Sequence, residues 1–454
     1  MAIDTSWFNE IDRKVFDWVG ANIGADVRSF ERQRRWRLGW DVVVDRDGME
    51  IPFYVRGSKG DNYVCPTDLR QEAGIQRIFE RYGIPAPRVL GFIDDPEALV
   101  LSRLPGRINT ATIDDPVVRQ RIRDEFTGLV ARVHRIPLAE FEPLGMTIPR
   151  DVRENVYGLY APSEAIFDRS IGRPFPLMSF LAAWLKRNIP MHRDRSAFIN
   201  TDAGQFLFDD EHVTGLIDFE TSMIGDPAAE LAGMRLRDTS EPLGDLALMM
   251  DRYEQLTGDR IEKSVIEYHT AGFCAVNGWL MWPMLFNPVP GQDYISWLNF
   301  SVATSRWAIT AVSEFIGLKL EAPREPVARP LPLSPAAAHL AGSIAGLKAG
   351  SPVEEYARDS AAALGRYIQR WHDYGLDILE QDLADAKALT GLAHADWEEA
   401  QAALDDWLET AGPEHDRQLT QHFHNWLHRQ DFLLRGCGYA AYNCGLDLQP
   451  IPPR

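Results

Sequence analysis

The stretch Asn200–Ala232 reads NTDAGQFLFDDEHVTGLIDFETSMIGDPAAELA, and its punctuation sets how the chain is built. Gln205-Phe-Leu-Phe208 is a short apolar strand, Asp209-Asp210-Glu211 a turn, and Val213-Thr-Gly-Leu-Ile217 a second strand that closes a hairpin. Asp202 stands just before this hairpin and Asp218 at its far end. A hairpin that short returns its ends to one neighbourhood, so the two carboxylates can share a site. Aspartates are rarely buried unless they are paired or hold a metal. The segment therefore carries chemistry.

Upstream, Trp40–Asp45 and Ile51–Arg56 are strand-like runs joined through Asp47-Gly48, a strong hairpin signal. Asp68–Tyr82 has helical spacing and stops at Gly83. Two further strands, Arg88–Ile93 and Ala98–Ser102, end at Pro105-Gly106. The first 30 residues read as helical, with Trp7, Ile11, Phe16, Trp18 and Val19 recurring among charges. A basic stretch follows, with Arg32, Arg34, Arg35 and Arg37, whose default reading is a solvated charged face. From about Asp115 to Leu320 the pattern is mostly helical, and Glu321–Ser334, with four prolines, reads as an extended linker. Helices resume after it, one of them starting at an Asp396/Glu399 capping pattern.

Composition bounds the function. The 454 residues are 45% hydrophobic and 25% charged, a soluble globular profile with room for more than one domain. Acidic residues outnumber basic ones by 66 to 47, a net charge of −19, which argues against nucleic acid as a partner. The uncharged run Thr270–Gln292 is broken by Asn277, Pro283, Asn287, Pro288 and Pro290, so a buried helix is expected and not a membrane span. Cys65, Cys274, Cys437 and Cys444 form no CxxC pair, and the N-terminal residues lack a signal-peptide pattern. A cytoplasmic protein is expected.

The 200–232 segment resembles the aminoglycoside phosphotransferase-like kinases, a branch of the protein-kinase-like fold. Their hallmark is H-G-D-x-x-x-x-N, a strand, a turn, a strand, then I-D-[WF]-E and a G-D-P-x-x-D-L-A tail. Here Gly215-Leu-Ile-Asp-Phe-Glu220, Gly225-Asp-Pro227 and Glu230-Leu-Ala232 match the second half. The thirteen positions from Gln205 to Asp218 equal the family's spacing from Asn to metal-binding Asp. The first half departs: Asn200 replaces the His, Gln205 the Asn, and Asp202 lies three residues before Gln205 instead of five. A loop two residues shorter keeps Asp202 at the base position, and the extra methylene of Gln205 compensates for its tighter path. An ungapped alignment would instead put Asn200 there and leave no base.

The resemblance implies Asp202 as the acceptor of the substrate proton and Gln205 and Asp218 as ligands of Mg2+. It implies Arg56, late in the third strand, and Glu72, in the following helix, as the pair that holds nucleotide phosphates; Lys59 is a weaker candidate. The resemblance also implies that Leu99–Gly106 is the hinge between lobes, with Ser102 and Leu104 at the adenine edge, and that the co-substrate is ATP or GTP. Asp226 is expected to fix the loop, and His134 to pack. The region Leu243–Leu320 holds Trp279, Trp282, Trp297 and Trp307 with Phe273, Phe286, Tyr294, Phe300, Met281 and Met284. Such a lining suits an apolar or aromatic hydroxyl compound, or an acyl-CoA-type one, better than a polycation, although core packing explains the same residues.

Other patterns are decoys. His192-Arg-Asp194 spells a kinase triplet at the wrong spacing, and His415, His422, His424 and His428 lack a supporting carboxylate or Cys, so they read as surface or packing residues. The expected fold is α+β and bilobal, protein-kinase-like, with a small β-rich N-lobe and a large helical C-lobe, plus a C-terminal all-α domain. Its parts are a helical segment at 1–30, the N-lobe at 31–105, the C-lobe at 106–320, a Pro-rich linker at 321–337 and a helical domain at 338–454, the last a candidate for homodimerisation. The expected activity is phosphoryl transfer to a hydroxyl of a small molecule, the alternative a catalytically degenerate scaffold.

Overall fold

Asp47 and Gly48 both take positive φ, 56° and 83°, the two-residue turn that an Asp-Gly pair favours. The turn joins β2 (Gly39–Arg46) to β3 (Met49–Gly57), and Arg46 faces Met49 across it. The sheet is completed by β1 (Asp26–Arg32), β4 (Val89–Asp94) and β5 (Glu97–Ser102) in the antiparallel order β1-β2-β3-β5-β4. The computed structural model describes residues 3–23, 26–33, 37–59, 66–209, 211–437 and 447–453. Arg34, Arg35, Cys65, Asp210 and Cys444 lie outside the described residues.

Helix α1 (Glu10–Ile23) ends earlier than its pattern suggests, and residues 26–32 form β1, a strand inside the stretch read as helical. Val15, Val19 and Ile23 of α1 pack on Phe30, Trp40, Val42 and Val55 of the sheet, so the leading segment belongs to the N-lobe core. Asp12 anchors it by accepting from Trp40 Nε1 at 2.8 Å and Arg32 Nη1 at 3.3 Å. Helix α2 (Leu69–Arg81) begins at a reciprocal cap: Gln71 N donates to Asp68 Oδ1 at 2.7 Å, and Asp68 N to Gln71 Oε1 at 3.0 Å. That cap fixes the first turn, which carries Glu72 inward towards β3.

The C-lobe is built from α3 (Pro116–Val133), α4 (Val152–Val156), α5 (Ala161–Ser170), α6 (Pro176–Arg187), α7 (Ala228–Arg237), α8 (Leu246–Thr257), α9 (Lys263–Phe286) and α10 (Tyr294–Phe315). Between α6 and α7 lie β6 (Ala197–Asn200), β7 (Phe206–Phe208), β8 (Val213–Leu216) and β9 (Ser222–Gly225). Strand β7 pairs with β8 and β6 with β9, so the chain crosses one small region four times. Phe79 of α2 meets Phe198 and Phe219 edge-on at 5.6 and 5.2 Å, locking the N-lobe helix onto this region. Helix α9 contains most of the uncharged run and is largely buried. Among the described residues no helix is long and apolar enough to cross a membrane.

Residues 318–330 have no regular structure, as the prolines demand, and are strapped to the next long helix: Arg329 N donates to Asp373 O and Leu331 N to His372 O. Four helices follow, α11 (Ser334–Ala345), α12 (Pro352–Thr390), α13 (Trp397–Leu408) and α14 (Asp416–Leu434). Among the described residues, buried apolar side chains of α12, α13 and α14 join the C-lobe core. Leu404, Leu419, Phe423, Trp426 and Leu427 join one apolar cluster with α6, α9 and α10, and Phe423 stacks on Phe180 at 5.5 Å. Residues 447–453 then return to the C-lobe. Gln449 accepts from Leu246 N at 2.7 Å and donates to Gly244 O at 2.6 Å and Asp238 Oδ2 at 3.3 Å, while Ile451 is buried.

Candidate active site

The paired strands bring the two aspartates of the central segment together. Gln205 Nε2 donates to Asp202 Oδ2 at 2.7 Å and to Asp218 Oδ2 at 3.3 Å, so one amide spans both carboxylates. Asp218 sits at φ 63°, a left-handed conformation that a non-glycine residue holds only when its surroundings enforce it. Asn200 does so: its Nδ2 donates to Asp218 O at 2.8 Å, and its Oδ1 accepts from Thr221 Oγ1 at 2.9 Å. Thr221 Oγ1 also accepts from Asp202 N at 2.9 Å. Asn200 thus braces the backbone of Asp218, while Asp202 lines the cavity beside it.

Asp202 is held by Arg237, at the end of α7, with 2.8 Å between Nη2 and Oδ1. Burial pushes the Asp202 carboxyl above its usual range; Arg237 opposes that shift and Asp218 reinforces it. Beneath the strands, Glu230 accepts from Asn200 N at 3.0 Å and meets His134 Nε2 at 2.9 Å, with Tyr253 on the other ring nitrogen. Asp226 is fully buried between Arg193 (2.7 Å) and His269 (3.0 Å). Burial would raise its pKa, but those two cationic or hydrogen-bonding partners hold it well below the usual carboxylate range. Arg193 of the kinase-like triplet is therefore a structural anchor, as is Asp226, and His134 packs at a helix end.

Above the aspartates the N-lobe contributes a dense ionic cluster. Arg56 Nε lies 3.1 Å from Glu72 Oε2, and its Nη2 contacts Asp218 and, at 3.1 Å, Glu220. Arg37 bonds Glu220 and approaches Glu72 to 3.8 Å, and Lys59 also bonds Glu220. Burial opposes the Arg56 charge, but Asp218, Glu72 and Glu220 more than offset it and keep the guanidinium firmly protonated. Burial raises Glu72 despite Arg56 and Arg37. Arg37 is 3% exposed, so it is no part of a solvated basic face, and Arg32 is tied to Asp12. A long-range partner pulled each of these arginines inward.

Ser102 and Leu104 lie where β5 leaves the sheet for the C-lobe. Ser102 Oγ accepts from Arg88 N at 2.8 Å. Leu104 packs on Gly215 of β8, where a Cβ would lie 2.4 Å from its Cδ1, so the bare backbone lets the segment after β5 rest on the β7–β8 hairpin. The structure brings Asp202, Gln205, Asp218, Arg56 and Glu72 into one continuous array and sets Ser102 and Leu104 at the lobe junction. The sequence reading gave no site role to Glu220, Thr221 or Arg237, and it favoured a solvated face for the arginines from Arg32 to Arg37 over a place at the phosphates. Glu220 had a signal in the Asp-Phe-Glu triplet, whereas Arg237 had none.

Beside Asp202 opens a cavity of about 230 Å3 with walls that include Phe273, Met281, Trp297, Phe300 and Trp307. Trp279 is wholly buried, and Trp282, Phe286 and Tyr294 face a different cavity. His422 is buried, and among the described residues no group of three or more His, Cys, Asp or Glu side chains is placed to hold a metal ion. Cys274 and Cys437 are buried free thiols.

A five-stranded antiparallel lobe with one inward helix, joined by a hinge to a helical lobe that holds two aspartates on paired hairpins, is the protein-kinase-like bilobal fold. Residues 48–261 match the profile of the Phosphotransferase enzyme family, and the likeness to aminoglycoside phosphotransferases read from the central segment holds over that stretch. Solved structures similar to the chain include a Ralstonia eutropha protein provisionally assigned as an aminoglycoside phosphotransferase, 14% identical over 68% of this chain and 98% of that one, with a TM-score of 0.49. Macrolide 2'-phosphotransferase MphH from Brachybacterium faecium is 15% identical over 65% and 98%, with a TM-score of 0.44. Aminoglycoside phosphotransferase APH(3'')-Id from Streptomyces rimosus, solved with ADP and streptomycin, is 17% identical over 59% and 98%, with a TM-score of 0.41. No curated protein matches the chain.

Proposed function

We propose that this protein transfers the γ-phosphoryl group of ATP or GTP to a hydroxyl of a small apolar or aromatic molecule. The observation that carries the reading is the single array in which Gln205 bridges Asp202 and Asp218 directly below the Arg56–Glu72 pair. Phosphoryl transfer needs in-line positioning, charge neutralisation and an acceptor for the hydroxyl proton. Asp202 is the only carboxylate of the array that faces the aromatic cavity without an N-lobe cation on it, and it takes the proton. Its raised pKa suits that task.

Arg56, Arg37 and Lys59 turn from their carboxylates to the nucleotide phosphates, and the backbone around Ser102 and Leu104 takes the base. Asp218 and Gln205 offer hard oxygen donors side by side, a set that fits Mg2+, which is commonly held by one or two carboxylates plus phosphates. A half-turn of the Gln205 amide presents Oε1 for that purpose. The ion, when bound, neutralises phosphate charge. Phe273, Met281, Trp297, Phe300 and Trp307 form the apolar part of the cavity wall, and Lys59 and Arg237 stand on its polar part, a lining that fits an uncharged acceptor better than a polycation.

Calorimetric titration with ATP and with GTP, with and without magnesium, tests the reading. Magnesium-dependent binding should vanish in Asp218→Ala. Asp202→Asn should keep that binding and lose phosphate transfer by roughly 10²–10⁴-fold. Absence of nucleotide binding in every condition would overturn the proposal in favour of a kinase-fold scaffold.

A further inference from the structure

The cavity beside Asp202 is small for a complete acceptor. Its volume of about 230 Å3 falls below the roughly 300–1,000 Å3 of most ligand sites. It shares its wall with a neighbouring cavity. Thr221, Phe273 and Asn277 are shared with a narrow cavity of about 20 Å3. Leu159, Ser163, Met223 and Leu280 of that neck are shared in turn with a third cavity, about 780 Å3, between α5 and the loop 145–150.

One face of α9 runs along the whole series. Phe273, Asn277 and Met281 border the catalytic cavity, Val276 and Leu280 the neck, and Leu280 again the outer space. Positions 273, 276, 277 and 280 are i, i+3, i+4 and i+7 of one helix, so they form a continuous stripe. Met223 and Leu280 stand at the outer divide and are only partly buried. Methionine is unbranched and adaptable, a residue that yields to a passing chain. The outer cavity adds Met146, Ile148 and Ile166, and Ser222, 2% exposed, brings a hydroxyl with no hydrogen-bond partner to the same wall.

We propose that the three cavities are one acceptor channel, and that the acceptor is an alcohol carried on a long, mainly apolar tail. The hydroxyl lies beside Asp202, and the tail passes Phe273 and Met223 into the space between α5 and the loop 145–150. This rests on the phosphotransferase reading of the Asp202 site. In the reaction the hydroxyl oxygen bonds to the γ-phosphorus, the bond from that phosphorus to the β–γ bridging oxygen breaks, the nucleoside diphosphate leaves, and the hydroxyl proton goes to Asp202.

The test is a chain-length series of primary alcohols from butanol to decanol, read two ways on the full-length protein. With saturating magnesium nucleotide, kcat/KM should rise roughly three- to fourfold per added methylene, the effect of burying each one. Without nucleotide, decanol should displace the apolar dye N-phenyl-1-naphthylamine at a concentration on the order of a thousandfold below butanol. Ile166→Trp, which fills the outer cavity, should halt both rises at a shorter chain. A flat profile with turnover intact would overturn the channel and leave the phosphotransferase reading standing. Loss of nucleotide binding would sink that reading instead, while dye displacement still decides the channel: equal potency of butanol and decanol refutes it.

Discussion

Replacing Arg56 by methionine keeps most of the side-chain stem and removes one charge from a cluster that is otherwise balanced. Among the described residues Arg37, Arg56 and Lys59 face Glu72, Asp218 and Glu220, three cations against three carboxylates. Arg56 is 5% exposed and hydrogen-bonds all three acids. Its loss leaves two cations for three buried carboxylates, and breaking a buried pair in this way destabilises by about 3–5 kcal/mol. The variant has one escape: Glu72, whose pKa burial already raises, takes up a proton. A carboxyl with a raised folded-state pKa binds more protons folded than unfolded, so the penalty is full above that pKa and shrinks as pH falls below it. Urea denaturation of Arg56→Met should therefore show its largest loss near pH 8 and a smaller one as pH falls towards the ordinary carboxylate range, about 4. Glu72→Gln combined with Arg56→Met should recover at least half of the loss, because a neutral amide replaces the unpaired charge. A loss under about 1 kcal/mol at pH 8, or strict additivity of the two substitutions, would refute this account of the cluster.

Arg237→Leu removes the cation that opposes the upward shift of Asp202; the base then holds its proton to higher pH, so the acid limb of the kcat/KM profile should move upward. An unmoved limb would show that Arg237 does not tune the base. Gly215→Ala places a Cβ 2.4 Å from Leu104 Cδ1 and 3.2 Å from Pro85 O, and thermal denaturation should report about 1–3 kcal/mol of destabilisation with weakened nucleotide binding. Gln449→Ala strips the acceptor from Leu246 N and the donor from Gly244 O, an expected loss of about 1–3 kcal/mol by denaturant titration, with phosphate transfer falling in parallel.

Local chemistry was legible in the sequence wherever neighbours in the chain are neighbours in space. The Asp47-Gly48 turn, the helix begun at Asp68 and the Gln205–Asp218 hairpin all satisfy their own backbone within a few residues. Strand β1, Asp-Val-Arg-Ser-Phe-Glu-Arg, was not, because a strand at the sheet edge buries Phe30 fully and leaves its other side chains half or wholly exposed. Arg37 was misread for a different reason: its partner Glu220 lies 183 residues away. A charge run looks solvated until the fold delivers its counter-ions. The helices after residue 334 carry an amphipathic stripe that fits either one another or the C-lobe, and periodicity does not say which; Phe423 on Phe180 decides it.

The seat of Gln449 on the α7–α8 connection puts a clock on the candidate site. Leu246 and Gly244 are made some 200 residues before their partner. At ribosomal rates of 5–20 residues per second the interval is roughly 10–40 s. During that time the connection just beyond Arg237 is held by Asp238, which accepts from Leu243 N and Gly244 N, and lacks the bonds that Gln449 adds. A nascent chain can complete its N-lobe and hairpins while the connection beyond Arg237, the partner of Asp202, still lacks its last bonds. Translation that stalls before residue 449 therefore yields a protein with all its predicted catalytic residues and no finished floor beneath them.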